Sequence, residues 1–383
     1  MKLIHTADLH IGMENYGRLN PETGLSTRLG DFLRSFDQVV DFAVENKADA
    51  FLFAGDAYKT REPTPTYQRE FAKRILKLSR NNVPVVLLVG NHDTPNALGK
   101  ANTLDIYSTL ELPNIYVIRK PEVITVPTKT GPLQVIGLPW IQKKEFETIA
   151  ETIQSLYEKA DPEVVTVAMV HASVEDSVFG SERIVSLGGD YVVPKALLMK
   201  PKLSYVALGH IHKRQVVHQD PPMVYPGSIE RVDFGEENEE KSFELVEIEG
   251  AGAKHQPIKV KAREFLTINL NVTNPSVNLT EEILSEIAKN DLKDKVVKLV
   301  LNLPSEGNEI EMDKVKKALS EAFIIAGISR NVSKTARNPL IQGAVIEGLS
   351  PIQLLEKYFE GKKYSPNKIE LLKKVAQELM AEE

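Results

Sequence analysis

The stretch LSYVALGHIH, residues 203–212, joins an apolar run to a glycine and two histidines spaced i, i+2. The run Leu203–Leu208 has the apolar content and the lack of polar alternation expected of a strand covered on both faces. On an extended segment an i, i+2 pair points to one side, so His210 and His212 are delivered together beyond the strand end. Four other runs finish in the same way. Lys2–Ala7 leads into Asp8-Leu9-His10, Ala48–Ala54 into Gly55-Asp56, Val83–Val89 into Gly90-Asn91-His92-Asp93, and Val164–Val170 into His171. The C-terminal edge of an α/β sheet gathers such distant segments into one crevice.

Working outward, amphipathic helices alternate with these runs over the first 250 or so residues. Phe32, Phe36, Val39, Val40 and Ala43 recur at helical spacing and predict a helix over 31–46. Thr64-Pro65 predicts a helix start that runs to about Arg80, and a further helix is expected over 102–112. Later strand-like runs, 115–118, 133–137 and 243–248, imply a second sheet packed on the first. The predicted fold class is α/β: a sandwich of two sheets flanked by helices, spanning residues 1–250. Residues 250–256 read as a linker. A small α+β domain is expected over 257–335, with strands at 265–272, 295–303 and 323–329 and helices at 280–289 and 311–322. After an irregular stretch, 331–348, two short helices opened by Ser350-Pro351 and Ser365-Pro366 form a helix–loop–helix over 349–383. Their apolar stripes are Ile352, Leu355, Phe359 and Ile369, Leu372, Val375/Ala376, Leu379.

Composition narrows the chemistry. At 383 residues the chain is too long for one ordinary core, and 42% hydrophobic with 26% charged residues is normal for a soluble protein. The absence of cysteine excludes disulfides and thiolate metal sites, leaving oxygen and imidazole ligands. A net charge of -6 excludes a generally basic nucleic-acid coat. It leaves room for local phosphate binding by metal ions and a few basic loops. No apolar stretch reaches the length of a membrane span and no secretory signal is visible, so a cytoplasmic location is expected.

The strand-end motifs supply two Asp, one Asn and four His: Asp8, His10, Asp56, Asn91, His171, His210 and His212. Asp56, the best-placed carboxylate, is expected to bridge two divalent ions, each with about four protein ligands and open positions for water and substrate. Sulfur-free mixed ligation suits Mn, Fe or Zn. Two ions roughly 3.5–4 Å apart clamp a phosphate and activate a water, which is the chemistry of phosphoester hydrolysis. His92, one residue beyond Asn91, is expected to give a proton to the leaving alkoxide, with Asp93 orienting its ring. Taken singly, an Asp-x-His or a Gly-Asp is commonplace. Five such motifs in order, all at strand ends, are not. His5, His218 and His255 belong to no motif and are expected to be packing or surface residues.

In this order the motifs resemble the calcineurin-like metallophosphoesterase superfamily. The opening IHTADLHIG, the run ALGHIHKR and the later YPGSIERVDFGEE (225–237) carry a narrower resemblance to the SbcD family of DNA double-strand-break repair nucleases, whose eukaryotic counterpart is the meiotic-recombination-eleven nuclease. The resemblance spans nearly the whole chain, and it identifies the small domain as a capping domain. It implies a manganese-dependent nuclease with double-strand exonuclease and single-strand endonuclease activities on DNA ends. It further implies a homodimer joined through the helices at 65–80 and 102–112, and an SbcC-type ABC ATPase with coiled coils as partner. Many members place a second active-site histidine three residues past the bridging Asp; this chain has Lys59, a phosphate-binding cation but a poor proton shuttle.

Two short helices with apolar stripes cannot cover each other completely, so the tail is expected to bind a partner. The resemblance makes that partner the ATPase. Two other readings stay open: a DNA-end tethering scaffold with weak catalysis, and a phosphodiesterase or phosphatase for small substrates.

Overall fold

The computed structural model describes residues 1–95, 99–141, 146–180, 191–250, 252–272, 278–303, 309–332, 351–361 and 364–381. Two six-stranded sheets dominate. In the first the order is Gly252–Lys259, Ser242–Glu249, Lys2–Thr6, Ala50–Phe53, Val85–Leu88, Ile115–Ile118. The last four of these run parallel, and Ser242–Glu249 is antiparallel to both its neighbours. In the second the order is Gln215–Gln219, Pro222–Tyr225, Leu203–Gly209, Val165–His171, Gly131–Leu138, Glu122–Thr128, with the middle four parallel. The C-terminal ends of the parallel strands carry the motifs.

Alternation along the strands explains why they are apolar throughout. Leu3, Leu52, Val86 and Leu88 of the first sheet pack against Val135, Val167, Met169 and Ala207 of the second, forming the sandwich interior. Their neighbours Ile4, Phe51, Phe53, Val85 and Leu87 face the other way, onto Phe36, Val40, Phe71 and Ile75 of helices Thr27–Glu45 and Pro65–Arg80. On the far side Ile136, Val170, Val206 and Leu208 meet Ile149, Ile153 and Leu156 of helix Ile149–Lys159. With every face covered, each such side chain contributes roughly 1.5–3 kcal/mol of burial, and the buried polar side chains of His5 and Thr166 on these strands are hydrogen-bonded. The layers are helix, sheet, sheet, helix, as expected.

Several boundaries differ from the sequence-based expectation. The first helix begins at Thr27 rather than Asp31, because the Ser26 hydroxyl accepts the N–H of Arg28 at 3.3 Å. Its first turn is polar yet buried: Arg28 pairs with Asp31 at 2.7 Å, and Arg263 closes on the same carboxylate at 2.7 Å. The helix expected over 102–112 is only Asp105–Thr109, since the Asn102 side chain accepts the N–H groups of Leu104 and Asp105 in a turn. The stretch read as a linker is instead strand Gly252–Lys259, which turns back at Gly250 and pairs along Ser242–Glu249. Its polar residues suit an exposed sheet edge.

The chain separates into two compact units: 1–267 with 292–297 and 320–326, and 268–291 with 298–319 and 327–383. A three-stranded sheet has the order Phe265–Asn271, Val296–Leu303, Ile324–Val332. The second unit holds helices Leu279–Ala288 and Met312–Ala318, joined by a bond from the Glu311 N–H to the Thr280 hydroxyl at 3.1 Å. The two tail helices are Pro351–Gly361 and Pro366–Ala381, tied by Lys373 to Glu356 at 2.7 Å. Ile369 is buried there, but Val375 of the expected stripe is exposed, as is Leu371. The irregular stretch expected at 331–348 lies outside the described residues from 333 onward. Among the described residues no helix is long and apolar enough to cross a membrane.

Candidate metal centre

Five strand ends, three from the first sheet and two from the second, bring all seven expected ligands together. Ligand atoms of Asp8, His10 and His212 lie within 4.8 Å of one another, as do those of Asp8, Asp56 and His171. Asn91 Oδ1 lies 2.9 Å from His171 Nε2 and 3.1 Å from His210 Nδ1. The Asp56 carboxylate stands between the groups: Oδ2 is 3.7 Å from His10 Nε2, and Oδ1 is 3.5 Å from His171 Nε2.

The backbone is forced to make this possible. Asp8, His10, Asp56 and His210 have φ values of 53°, 48°, 61° and 105°, in the left-handed region that non-glycine residues avoid. A ladder between loops holds them: Asp8 N–H to Gly55 O at 3.0 Å, His10 N–H to Asp56 O at 3.1 Å, and Ile11 N–H to Ala57 O at 3.0 Å. Gly90 approaches so closely that a Cβ there would sit 2.1 Å from Asp56 Oδ1.

Asp93 is the carboxylate that ties these loops. It accepts the N–H groups of Asp56 at 2.9 Å, Gly90 at 3.0 Å and Ala57 at 3.1 Å. The expectation that it orients the His92 ring is therefore corrected. His92 Nδ1 instead donates to the Lys59 carbonyl at 2.7 Å, and the His92 N–H donates to Asp56 Oδ1 at 2.8 Å. A ring nitrogen of His92 lies within 4.8 Å of ligand atoms of His10 and Asp56.

Electrostatics divide the acids. Burial pushes the Asp8 carboxyl up to about 6. Burial also raises Asp56, but His171 and His10 outweigh it and hold that carboxyl well below its usual range. Burial lowers His171, but Asp56 reverses this and lifts it to about 9. Burial and the nearby Asp56 charge push Asp93 up to about 7 against its three amide bonds. Burial, then His212, takes His10 well below the imidazole range, and burial lowers His92.

The residues fit divalent cations. The Nε2 atoms of His10 and His212 face each other at 2.9 Å, and His10 Nδ1 is buried without a hydrogen-bond partner among the described residues. Two almost fully buried carboxylates, Asp8 and Asp56, lie beside them. An imidazole pair with a buried, partnerless ring nitrogen, set against two buried carboxylates, is costly unless a cation joins them.

The centre lies in a cavity of about 810 Å³, also lined by Lys59, Arg61, Tyr67 and Trp140. The Trp140 ring tilts on that of His210, with centroids 5.0 Å apart. Of the remaining histidines, His5 is a core residue whose ring bonds Tyr205 and the Leu208 carbonyl, and burial lowers it to about 4. His255 pairs with Glu244 at 2.9 Å, and His218 lies against the Pro221 carbonyl. Two neighbours of the centre escape a motif reading: Trp140, and Glu236, whose carboxylate meets His212 Nδ1 at 2.9 Å. Glu236 belongs to the stretch 225–237, but nothing in its spacing marks it. Burial raises its carboxyl, yet Lys241 and His212 prevail and hold it well below the usual range.

A family model described as calcineurin-like phosphoesterase matches residues 1–214. The chain belongs to this family. Its relatives agree with the narrower resemblance drawn from the motifs. DNA double-strand break repair protein Mre11 of Archaeoglobus fulgidus is 26% identical over 248 residues, covering 62% of this chain and 52% of that protein. The protein of the same name from Methanocaldococcus jannaschii is 26% identical over 278 residues, covering 70% and 69%. The D component of the nuclease SbcCD of Bacillus subtilis is 28% identical over 268 residues, covering 64% and 66%. The chain thus spans between about half and about two thirds of the length of these relatives.

Proposed function

We propose that this phosphoesterase is a DNA nuclease that hydrolyses phosphodiesters at DNA ends with two divalent ions, Mn²⁺ by preference. The observation that carries the reading is the Asp56 carboxylate, reaching towards His10 with one oxygen and towards His171 with the other. Asp8, His10, His212 and Asp56 would hold one ion, and Asp56, Asn91, His171 and His210 the other. Ions held there would polarise the phosphate and supply a hydrolytic water at neutral pH. Lys59 and Arg61 line the same cavity and add positive charge where a phosphate enters.

His92 is the proton donor to the leaving alkoxide. Its Nδ1 is committed to the Lys59 carbonyl, which fixes the ring and leaves Nε2 for the leaving oxygen. Burial disfavours its charged form, and the negative charge of an arriving phosphate restores it. Asp93 acts one step back, by holding the loops of Asp56 and Gly90.

The names of the relatives support DNA, rather than a small phosphodiester, as the substrate and break repair as the setting; double-strand exonuclease and single-strand endonuclease action are the activities this reading assigns. In this reading the nuclease domain expected over 1–250 also takes in the edge strand Gly252–Lys259, the rest of the small domain expected over 257–335 caps it, and 349–383 bind an SbcC-type ABC ATPase. Exposed Leu371 and Val375 support that last assignment. Exposed Ile106 and Leu110 support a homodimer through the segments 65–80 and 102–112.

With Mn²⁺ the purified chain should degrade linear duplex DNA and nick circular single strands. Asp56→Asn should reduce both to background, and His92→Ala should slow both by about 10²–10⁴ while leaving Mn²⁺ binding unchanged. Hydrolysis of a chromogenic diester without cleavage of any DNA would replace this reading with a small-substrate enzyme.

A further inference from the structure

We propose that Glu236 is a positioning residue for the metal centre: it fixes the tautomer of His212 and so presents His212 Nε2 to the cation. The inference rests on the metal-centre part of the reading above and not on DNA as substrate.

Glu236 closes a short turn, Phe234–Glu236, started by Asp233, whose carboxylate accepts the Gly235 N–H at 2.7 Å. Its side chain is fully buried. Oε1 lies 2.9 Å from His212 Nδ1. Oε2 accepts the Ser228 hydroxyl at 3.1 Å, the Val232 N–H at 3.0 Å and the Lys241 ammonium at 2.6 Å. An ionised carboxylate can only accept, so the proton in the 2.9 Å contact belongs to His212 Nδ1. The lone pair is then on Nε2, the atom that faces His10 Nε2 at 2.9 Å. A buried carboxylate behind a ligating imidazole sets both its orientation and its basicity.

Three donors on Oε2 keep Oε1 aimed at the ring. Lys241 is itself buried and also reaches Glu239 and Ser228, each at 2.9 Å, so it does not release Glu236. His171 is oriented differently, by the Ala54 carbonyl at 2.7 Å from its Nδ1. The two imidazoles are thus anchored independently.

Glu236→Gln makes the proposal sharp. Lys241 and the Val232 N–H only donate, so the amide oxygen must turn to them and the amide NH₂ must face His212. That arrangement demands an acceptor at Nδ1 and moves the ring proton to Nε2. Glu236→Asp keeps the charge beside Lys241 but is one methylene short of His212, and it serves if the glutamine variant does not fold.

The test is two-bond ¹H–¹⁵N spectroscopy of the histidine-labelled, metal-free chain 1–383, together with Mn²⁺ titration followed by electron paramagnetic resonance. His212 should carry its proton on Nδ1 in the wild type and shift towards Nε2 in Glu236→Gln. Mn²⁺ affinity should fall about 10–100-fold in either variant. Both readouts are taken without DNA, so failure of the nuclease reading would leave them untouched. An unchanged His212 tautomer and wild-type Mn²⁺ affinity in a folded variant would overturn the proposal.

Discussion

The two sheets contribute unequal halves of the metal centre. The first provides Asp8, His10, Asp56 and Asn91 from loops in which three of the four ligands have left-handed φ; the second provides His171, His210 and His212, of which only His210 does. The first half is held through its backbone, by the amides gathered on Asp93 and the ladder between residues 8–11 and 55–57. In the second half, His171 and His212 are held through their side chains, each with its Nδ1 on an acceptor behind it. Acids that must lie close together need a strained frame, whereas His171 and His212 need only a second hydrogen bond. Damage to the frame should therefore cost fold and metal together, and damage to an imidazole anchor should cost metal alone.

The largest effect is expected from Gly90→Ala. Its Cβ would fall 2.1 Å from Asp56 Oδ1 and 2.5 Å from the Asp56 nitrogen, so backbone must move. Overpacking of this kind costs about 1–3 kcal/mol or somewhat more, and thermal melting of the metal-free protein should drop accordingly. Mn²⁺ binding should be lost with it; a wild-type melting temperature would show that the frame is loose.

Asp93→Asn comes next. Its oxygens take three N–H groups, and the amide NH₂ of asparagine opposes at least one of them. One buried amide left without an acceptor costs about 1–3 kcal/mol, readable in denaturant unfolding. The substitution should lower Mn²⁺ affinity less than Gly90→Ala does, because the ladder between residues 8–11 and 55–57 still restrains the Asp56 loop.

The smallest effect concerns pH. His171 is raised to about 9 beside Asp56, so in the metal-free protein at neutral pH it carries a proton that a cation must displace. Mn²⁺ binding should release protons, and affinity should weaken by up to about tenfold per unit as pH falls below about 9. Calorimetric titration in buffers of different ionisation enthalpy measures the release. No release at neutral pH would contradict the charge assigned to His171.

The halves were not equally legible. His171, His210 and His212 end apolar runs, and the alternation that buries Val206 and Leu208 on one face and Ala207 on the other fixes where those runs stop. Asp8, Asp56 and Asn91 were equally visible as motifs, but the left-handed turns that aim the two aspartates are not encoded in residue type. Adjacency pairs Asp93 with His92, yet its carboxylate turns inward to backbone amides, two of them from the Asp56 loop. Glu236 reaches His212 across 24 positions of chain, which no spacing rule anticipates. Residues 250–256 read as a linker because the edge strand that they enter, Gly252–Lys259, exposes polar residues just as a linker does. Arg28 and Asp31 hid a helical turn for the converse reason, being charged residues buried as a pair.

The central claim is that Asp56 joins the two halves through shared cations. Anomalous diffraction from crystals grown with Mn²⁺ tests it most directly. Two manganese peaks, each touched by one oxygen of Asp56 and with His10 and His171 on different ions, is the predicted result. A single peak, or two peaks with Asp56 bound to only one of them, would contradict the account.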